Sequence, residues 1–274
     1  MDIKHLQHKA MQIREEVIDY AYNLGKCHIG GALSTIEILT ALYYDVMKID
    51  PLNPKLEDRD RFILSKGHGT LGLYTILADL GFFSKDHLCT YKKMGSILQG
   101  HPHTLKTPGI EMSAGSLGQG ISFGVGKALA LKLKGLNSRV YVLVGDGELE
   151  EGQNWEAIAS ASHFKLDNLC VIVDNNGLQL DETVVNELSF SNLGDKFASF
   201  GWNVKTIDGH DIKEIVESLK ERRDNQKPIA IIANTVKGKG VSFMENEISW
   251  HCNKMTDEQY RIAKTELKKF RELV

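Results

Sequence analysis

At 274 residues with 42% hydrophobic and 25% charged content, the chain has ordinary globular composition and is long enough for one large α/β domain. A formal net charge of −3 gives no basic footprint for nucleic acid, and no apolar run reaches the roughly 18 residues of a membrane span, nor does the N-terminus show a signal core. The four cysteines, Cys27, Cys89, Cys170 and Cys252, lack metal-ligand spacing and read as reduced thiols of a cytosolic protein.

From the N-terminus, Ile3, Leu6, Ala10, Ile13, Val17, Ala21 and Leu24 recur at intervals of three and four, which predicts an amphipathic helix ended by Gly25. His28 follows among glycines, where a backbone can come close to a ligand, and Ser34 with Glu37 reads as a capping box opening a second helix. Residues 61–65 (RFILS) form a short predicted strand that places Lys66 and His68 at its end, before a helix over 70–80. Residues 91–115 have no regular pattern. Long irregular stretches inside a domain are usually functional, and this one contains His101 and ends at Gly115, Ser116 and Leu117, after which a helix begins near Gly118.

The stretch 139–178 reads as strand, turn, helix, strand. The first strand ends at Gly145, so Asp146 stands just past it; a helix over 153–163 and a second buried strand over 168–174 lead to Asn175 and Asn176. The spacing of Asp146 and Asn176 (176 − 146 = 30) fits one crossover of about 30 residues. Ligands of parallel sheets bind beyond such strand ends, where Asp146, the Asn176 amide oxygen and the carbonyl near Leu178 would offer hard oxygen donors. Three such donors leave room for two phosphate oxygens and a water around Mg²⁺ or Ca²⁺, hence for a diphosphate. Gly145 and Gly147 permit close approach, whereas GDGELE lacks the third glycine of a nicotinamide fingerprint. Glu148 and Glu150 suit the helix dipole, while Glu151 and Glu156 are candidates for more than that.

Beyond a loop over 179–195, a helix over 196–200, a strand over 202–208, a helix over 211–223 and a buried strand over 228–236 continue the alternation. Lys237, Gly238 and Gly240 follow as a weak anion-loop signal, then Trp250 and His251, then a helix capped by Thr256 with Gln259. The expected fold is one α/β domain over 1–274, a doubly wound, mostly parallel sheet with helices on both faces.

Taken together, SKGH at 65–68, QGHP at 99–102, GDG at 145–147 with NN at 175–176, and SWH at 249–251 resemble the thiamine diphosphate-binding first domain of transketolases. The resemblance covers nearly the whole chain, with Ile29 in place of a usual proline and Cys252 in place of a usual glycine. It implies transfer of a two-carbon ketol unit from a ketose to an aldose, with thiamine diphosphate and a divalent metal held by Asp146, Asn176 and Leu178. It further implies that Lys66, His68, Lys237 and His251 lie against the diphosphate and that Gly115, Ser116 and Leu117 lie over the aminopyrimidine. Glu151 and Glu156 would join a carboxylate network between paired active sites. His28, His68, His101 and His251 would handle hydroxyl and carbonyl protons, for which an unperturbed imidazole pKa near 6.5 is suited. The family's chains carry further domains, so the resemblance implies either the N-terminal subunit of a split enzyme or an excised fragment, and an ending in a capped helix favours the subunit. Its partner would be a C-terminal subunit with the pyrimidine-binding domain, in a heterotetramer of two copies of each, acting on sugars with a phosphate or similar charged group. An oxo-acid dehydrogenase α subunit shares the diphosphate signature but does not explain SKGH, QGHP and SWH together, and a cofactor-holding module without catalysis is the other alternative.

Overall fold

In the computed structural model, which describes residues 2–179, 182–184, 192–221 and 225–271, the apolar runs become a five-stranded parallel sheet. Its strands are β1 (Arg61–Leu64), β2 (Val140–Gly145), β3 (Leu169–Asn175), β6 (Asn203–Asp208) and β7 (Ile229–Asn234), in the spatial order β1-β2-β3-β7-β6. A small antiparallel pair, β4 (Leu178–Gln179) and β5 (Glu182–Thr183), follows β3 directly.

Alternation along the central strands divides the interior into two layers, as the pleat requires. Tyr141, Leu143, Cys170, Ile172, Ile229 and Ile231 pack on the side of α1 (Ile3–Leu24), α2 (Ile29–Leu33), α3 (Ile36–Ala41) and α4 (Thr70–Asp79). Val140, Val142, Val144, Val171, Val173 and Ile232 pack on the side of α5 (Gly120–Leu133), α6 (Gly152–His163) and α7 (Leu193–Ser199). With both faces covered, β1, β2, β3 and β7 are buried over nearly their whole length, which is why β2, β3 and β7 read as continuous apolar runs, whereas the edge strand β6 is mostly half-buried. The helix between β6 and β7, α8 (Ile212–Lys220), lies on the first side, as does the final helix α9 (Asp257–Arg271). After β1 the chain passes α4 on the first side and α5 on the second to reach β2, continues to β3 and β6 over the second face, and steps back to β7 over the first. Connections diverge at the neighbours β3 and β7, and a crevice opens beyond their carboxyl ends.

The doubly wound α/β expectation is met, and so are several local signals. Gly25 takes φ 80° and returns its N–H to the Ala21 carbonyl at 3.2 Å, closing α1. Thr256 and Gln259 form a reciprocal capping box, at 2.9 and 3.2 Å. The box expected at Ser34 and Glu37 does not form. Ser34 Oγ instead donates to Asp174 Oδ2 at 2.8 Å, and Glu37 is buried in an ion pair with Arg14, with His210 Nδ1 3.0 Å from its other oxygen. Two local caps lose to two buried charges, because an unpartnered buried charge costs more than a missing cap. The loop expected over 179–195 begins with the β4–β5 pair and closes on α7, while its residues 180–181 and 185–191 lie outside the described residues.

Candidate active site

The crevice is assembled from four strand ends. After β1 the chain turns through Lys66 and His68; after β2 through Asp146; after β3 through Asn176; after β7 through Lys237. At its base lies Asp174, the penultimate residue of β3 and wholly buried. Its Oδ2 accepts from Ser34 Oγ at 2.8 Å and Asn176 Nδ2 at 3.0 Å and pairs with the Lys66 ammonium, while its Oδ1 accepts from Thr235 Oγ1. Burial pushes this carboxyl upward, but the Lys66 charge and these donors outweigh it, and Asp174 is held below the usual carboxylate range. Lys66 also donates to the Gly31 carbonyl at 3.0 Å.

Above this base, Asp146 accepts the Gly147 N–H at 2.8 Å on one oxygen and the Gly177 N–H at 2.5 Å on the other, so the carboxylate is fixed in orientation. Burial, and then the charge of Asp174, push it up to about 6. The Asn176 amide is oriented too, its nitrogen spent on Asp174 and its oxygen accepting the Leu178 N–H at 3.1 Å. Lys237 reaches the Leu178 carbonyl at 3.3 Å and His251 Nδ1 at 3.1 Å, and burial, followed by the Lys66 charge, lowers it to about 8. Each departure has the same meaning. A buried carboxylate pushed up lacks a cation, and a buried ammonium pushed down lacks an anion. A divalent ion at Asp146, Asn176 and the Leu178 carbonyl, with a diphosphate between it and Lys237, would supply both. Among the described residues no three acidic, histidine or cysteine side chains gather as a metal cage, so ligand oxygens would have to complete the coordination.

The other end of the crevice is a cluster of imidazoles. His28 stands 5.7 Å from His68, 6.1 Å from His101 and 5.3 Å from His251, centroid to centroid, and His68 stands 5.2 Å from His251. Glycines permit this crowding: a Cβ on Gly31 would come 3.2 Å from the His68 ring, and one on Gly30 would come 2.8 Å from the Trp250 carbonyl. Burial is the main cause that lowers all four imidazoles, with neighbouring lysines and histidines adding to it. His28 and His251 fall to about 4, His68 falls well below its usual range, and His101 falls as well. The near-6.5 value expected from sequence is thus corrected: crowding and burial hold the cluster neutral. The Nδ1 of His28 is buried and has no hydrogen-bond partner among the described residues.

Of the residues singled out from sequence, His28, His68, His101, His251, Lys66, Gly115, Leu117, Gly145, Asp146, Gly147, Asn176, Leu178 and Lys237 line this cleft of about 230 Å³. Ser116, Glu151 and Glu156 are exposed and lie outside it. Glu148, read as a dipole partner, is instead buried and ties the loop together, accepting from Ser65 Oγ, from the Gly118 N–H at 3.0 Å and from the Gly145 N–H at 3.1 Å. Sequence reasoning missed Asp174; the available signal is a carboxylate inside the run VIVD, which a buried strand holds only with a partner.

The chain matches the family described as "Transketolase, thiamine diphosphate binding domain" over residues 6–270. The chain belongs to the transketolase family. A 6-deoxy-6-sulfo-D-fructose transketolase subunit of Clostridium sp. (strain MSTE9) is 44% identical over 265 residues, 96% of each chain. An apulose-4-phosphate transketolase subunit of Phocaeicola vulgatus is 41% identical over 268 residues, covering 97% of this chain and 95% of that one. The crystal structure of transketolase from Campylobacter jejuni superposes with a TM-score of 0.92 at 32% identity, over 98% of this chain but 43% of that one. This transketolase chain thus spans about two fifths of the solved enzyme and nearly the whole of the two subunits. A cleft of about 230 Å³ lies below the range of about 300–1,000 Å³ usual for ligand pockets.

Proposed function

We propose that this chain is the thiamine diphosphate-holding subunit of a split transketolase, which with a pyrimidine-binding partner subunit moves a two-carbon ketol unit from a ketose to an aldose. The observation that carries the reading is the junction of two sites: a crevice in which Asp146, Asn176, the Leu178 carbonyl and Lys237 converge opens directly onto four neutral imidazoles. The names of the subunits that match it end to end support the split arrangement. A divalent ion, Mg²⁺ by its oxygen donors, would sit on Asp146, Asn176 and the Leu178 carbonyl, and Lys237 would meet the diphosphate. Lys66 would act mainly through Asp174, since its ammonium is already paired there.

When bound, thiamine diphosphate supplies the electron sink that lets a bond beside a carbonyl break. The chain's own part is to place the sugar and move protons. A neutral imidazole donates from one nitrogen and accepts at the other, so His28, His68, His101 and His251 can hold adjacent hydroxyls and relay a proton without first discharging. His28 has an acceptor or donor site to spare in its Nδ1. Glu151 and Glu156, exposed on and beside α6, would meet the carboxylates of a neighbouring site across the assembly, which we take to hold two copies of each subunit in the cytosol. The sugars would carry a phosphate or a sulfonate, the two groups present in the named relatives' substrates.

The test is reconstitution. This chain alone, its partner alone, and both together are supplied with thiamine diphosphate and Mg²⁺ and assayed for two-carbon transfer across a panel of ketose donors. Activity is expected only from the mixture. Full activity of this chain alone would overturn the split reading, and decarboxylation of an oxo-acid without ketol transfer would move the assignment to a different thiamine diphosphate enzyme.

A further inference from the structure

The sugar end of the cleft differs from the diphosphate end in where its cations go. Lys66 and Lys237 are consumed inside, by Asp174 and by His251 and the Leu178 carbonyl. Lys26 and Lys92, outside the cleft lining but beside the segments that carry His28 and His101, are exposed, and among the described residues neither forms an ion pair with a carboxylate.

Lys92 is held in place by its surroundings. Its ammonium lies 3.4 Å from the Lys26 carbonyl, two residues before His28, and its Cε passes 3.0 Å from where a Cβ on Gly100 would stand, one residue before His101. The ammonium thus bridges the two segments that carry His28 and His101, whose rings are 6.1 Å apart. The ammonium also stands over the Tyr91 ring, 5.4 Å from its centroid, and Tyr91 is itself buried, its Oη 2.9 Å from Thr70 Oγ1. The backbone of Lys92 is in the left-handed region at φ 62°, locked by its N–H to the Leu98 carbonyl at 3.0 Å. A long cationic side chain gains nothing from that conformation, which glycine or asparagine adopts more readily, and strain of this kind is retained where the residue is needed. After burial, the Lys92 charge is the next cause that lowers both His28 and His101, and Lys26 also acts on His28. The field at the mouth of the imidazole cluster is therefore positive, with neither ammonium paired to a carboxylate of the described residues.

We propose that Lys92, seconded by Lys26, is an anion subsite of this chain that reads the charged terminus of the sugar, a phosphate or a sulfonate, as the substrate's reacting end enters among the histidines. The proposal rests on the ketol-transfer reading above. Glycine at position 100 is part of the device, because a side chain there would push the Lys92 stem away from His101.

The experiment uses the reconstituted enzyme with three donors on one carbon skeleton: a neutral ketose, its terminal phosphate and its terminal sulfonate. Lys92→Gln should raise KM for both charged donors about tenfold, the size of one lost charge-assisted hydrogen bond at a partly exposed site, and leave the neutral donor within about twofold. The phosphate, with the larger charge, should lose more than the sulfonate. Lys92→Arg should restore both charged donors. Lys92→Asn should lose them as Lys92→Gln does, while melting no lower than the wild type, since asparagine suits the positive φ. Inorganic phosphate should compete with the neutral donor in the wild type and compete less in Lys92→Gln. Equal changes for all three donors, or none for the charged ones, would overturn the subsite while leaving ketol transfer standing. Absence of transfer by the wild-type complex from every donor would instead overturn the parent function, and equal calorimetric affinity of the wild-type and Lys92→Gln complexes for inorganic phosphate would then overturn the subsite separately.

Discussion

The two ends of the cleft are built on opposite terms. At the diphosphate end, Asp174 binds Lys66, Ser34, Asn176 and Thr235, Asp146 holds two backbone N–H groups, and Glu148 ties together three loops. At the proposed sugar end, His28 lies 5.3 to 6.1 Å from His68, His101 and His251, and among the described residues one buried ring nitrogen is left without a hydrogen-bond partner. The first region is organised before any ligand arrives, as suits a group that stays bound. The second keeps its donors and acceptors free, as suits a substrate that comes and goes.

The difference predicts which substitutions affect binding and which affect turnover. The largest effect should come from Asp146→Ala, which removes the charged oxygen from the proposed metal position. Calorimetry of thiamine diphosphate with Mg²⁺, partner subunit present, should show affinity falling by at least about a hundredfold, the scale of losing a buried charge interaction of roughly 3 kcal/mol. Unchanged affinity would sink the metal assignment and with it the contrast between the two ends.

Asp174→Ala probes the same end through stability. It leaves the Lys66 ammonium buried without its counterion, and breaking one side of a buried pair costs about 3–5 kcal/mol. Urea unfolding should show that loss. A second change, Lys66→Met, made in the Asp174→Ala background should recover part of it by removing the stranded charge; no recovery would mean that Asp174 matters chiefly through Ser34, Asn176 and Thr235.

At the sugar end, His101→Ala should lower turnover by about a hundredfold, within the range of a lost proton-transfer group, and leave cofactor affinity nearly intact. His251→Ala should lower both, because its Nδ1 touches Lys237 on the diphosphate side and its ring faces His28 and His68 on the other. Release of the cofactor by His101→Ala, with sugar kinetics untouched, would erase the division between the ends.

Much of the fold is legible in the sequence because both faces of the sheet are covered, so β2, β3 and β7 read as apolar runs and their ends can be located to within a residue or two. The pairing of Asp146 with Asn176 is legible for the same reason, since one crossover has a characteristic length. What cannot be read is tertiary competition. Ser34 and Glu37 spell a cap, but Asp174 and Arg14 claim them, and nothing local distinguishes a serine that caps from one that supports a buried carboxylate. Lys66 looks like a diphosphate ligand by position and proves to be tied to Asp174, a partner 108 residues away. The histidines can be identified individually, while the property that governs their chemistry, mutual burial, belongs only to the cluster.

That property yields the smallest expected effect. An isolated imidazole titrates near 6.5, and burial takes His28 and His251 to about 4. Between those values the unfolded chain binds more protons than the folded one, so stability falls as the pH drops from about 6.5 toward about 4, and above 6.5 the two groups contribute no pH dependence. The lost stability should be modest, because both rings are partly open to water, which screens them. Denaturant midpoints measured between pH 7 and pH 4.5 should be nearly flat above 6.5 and decline below it, with Asp146, pushed up to about 6, offsetting part of the loss, and His28→Gln with His251→Gln should flatten the decline. Imidazole proton resonances offer the direct reading: these two rings should titrate well below the ordinary imidazole value near 6.5. Midpoints near 6.5 for both would show that the sugar end is as wet as the surface, and the contrast with the dry, paired diphosphate end would then rest on hydrogen bonding alone.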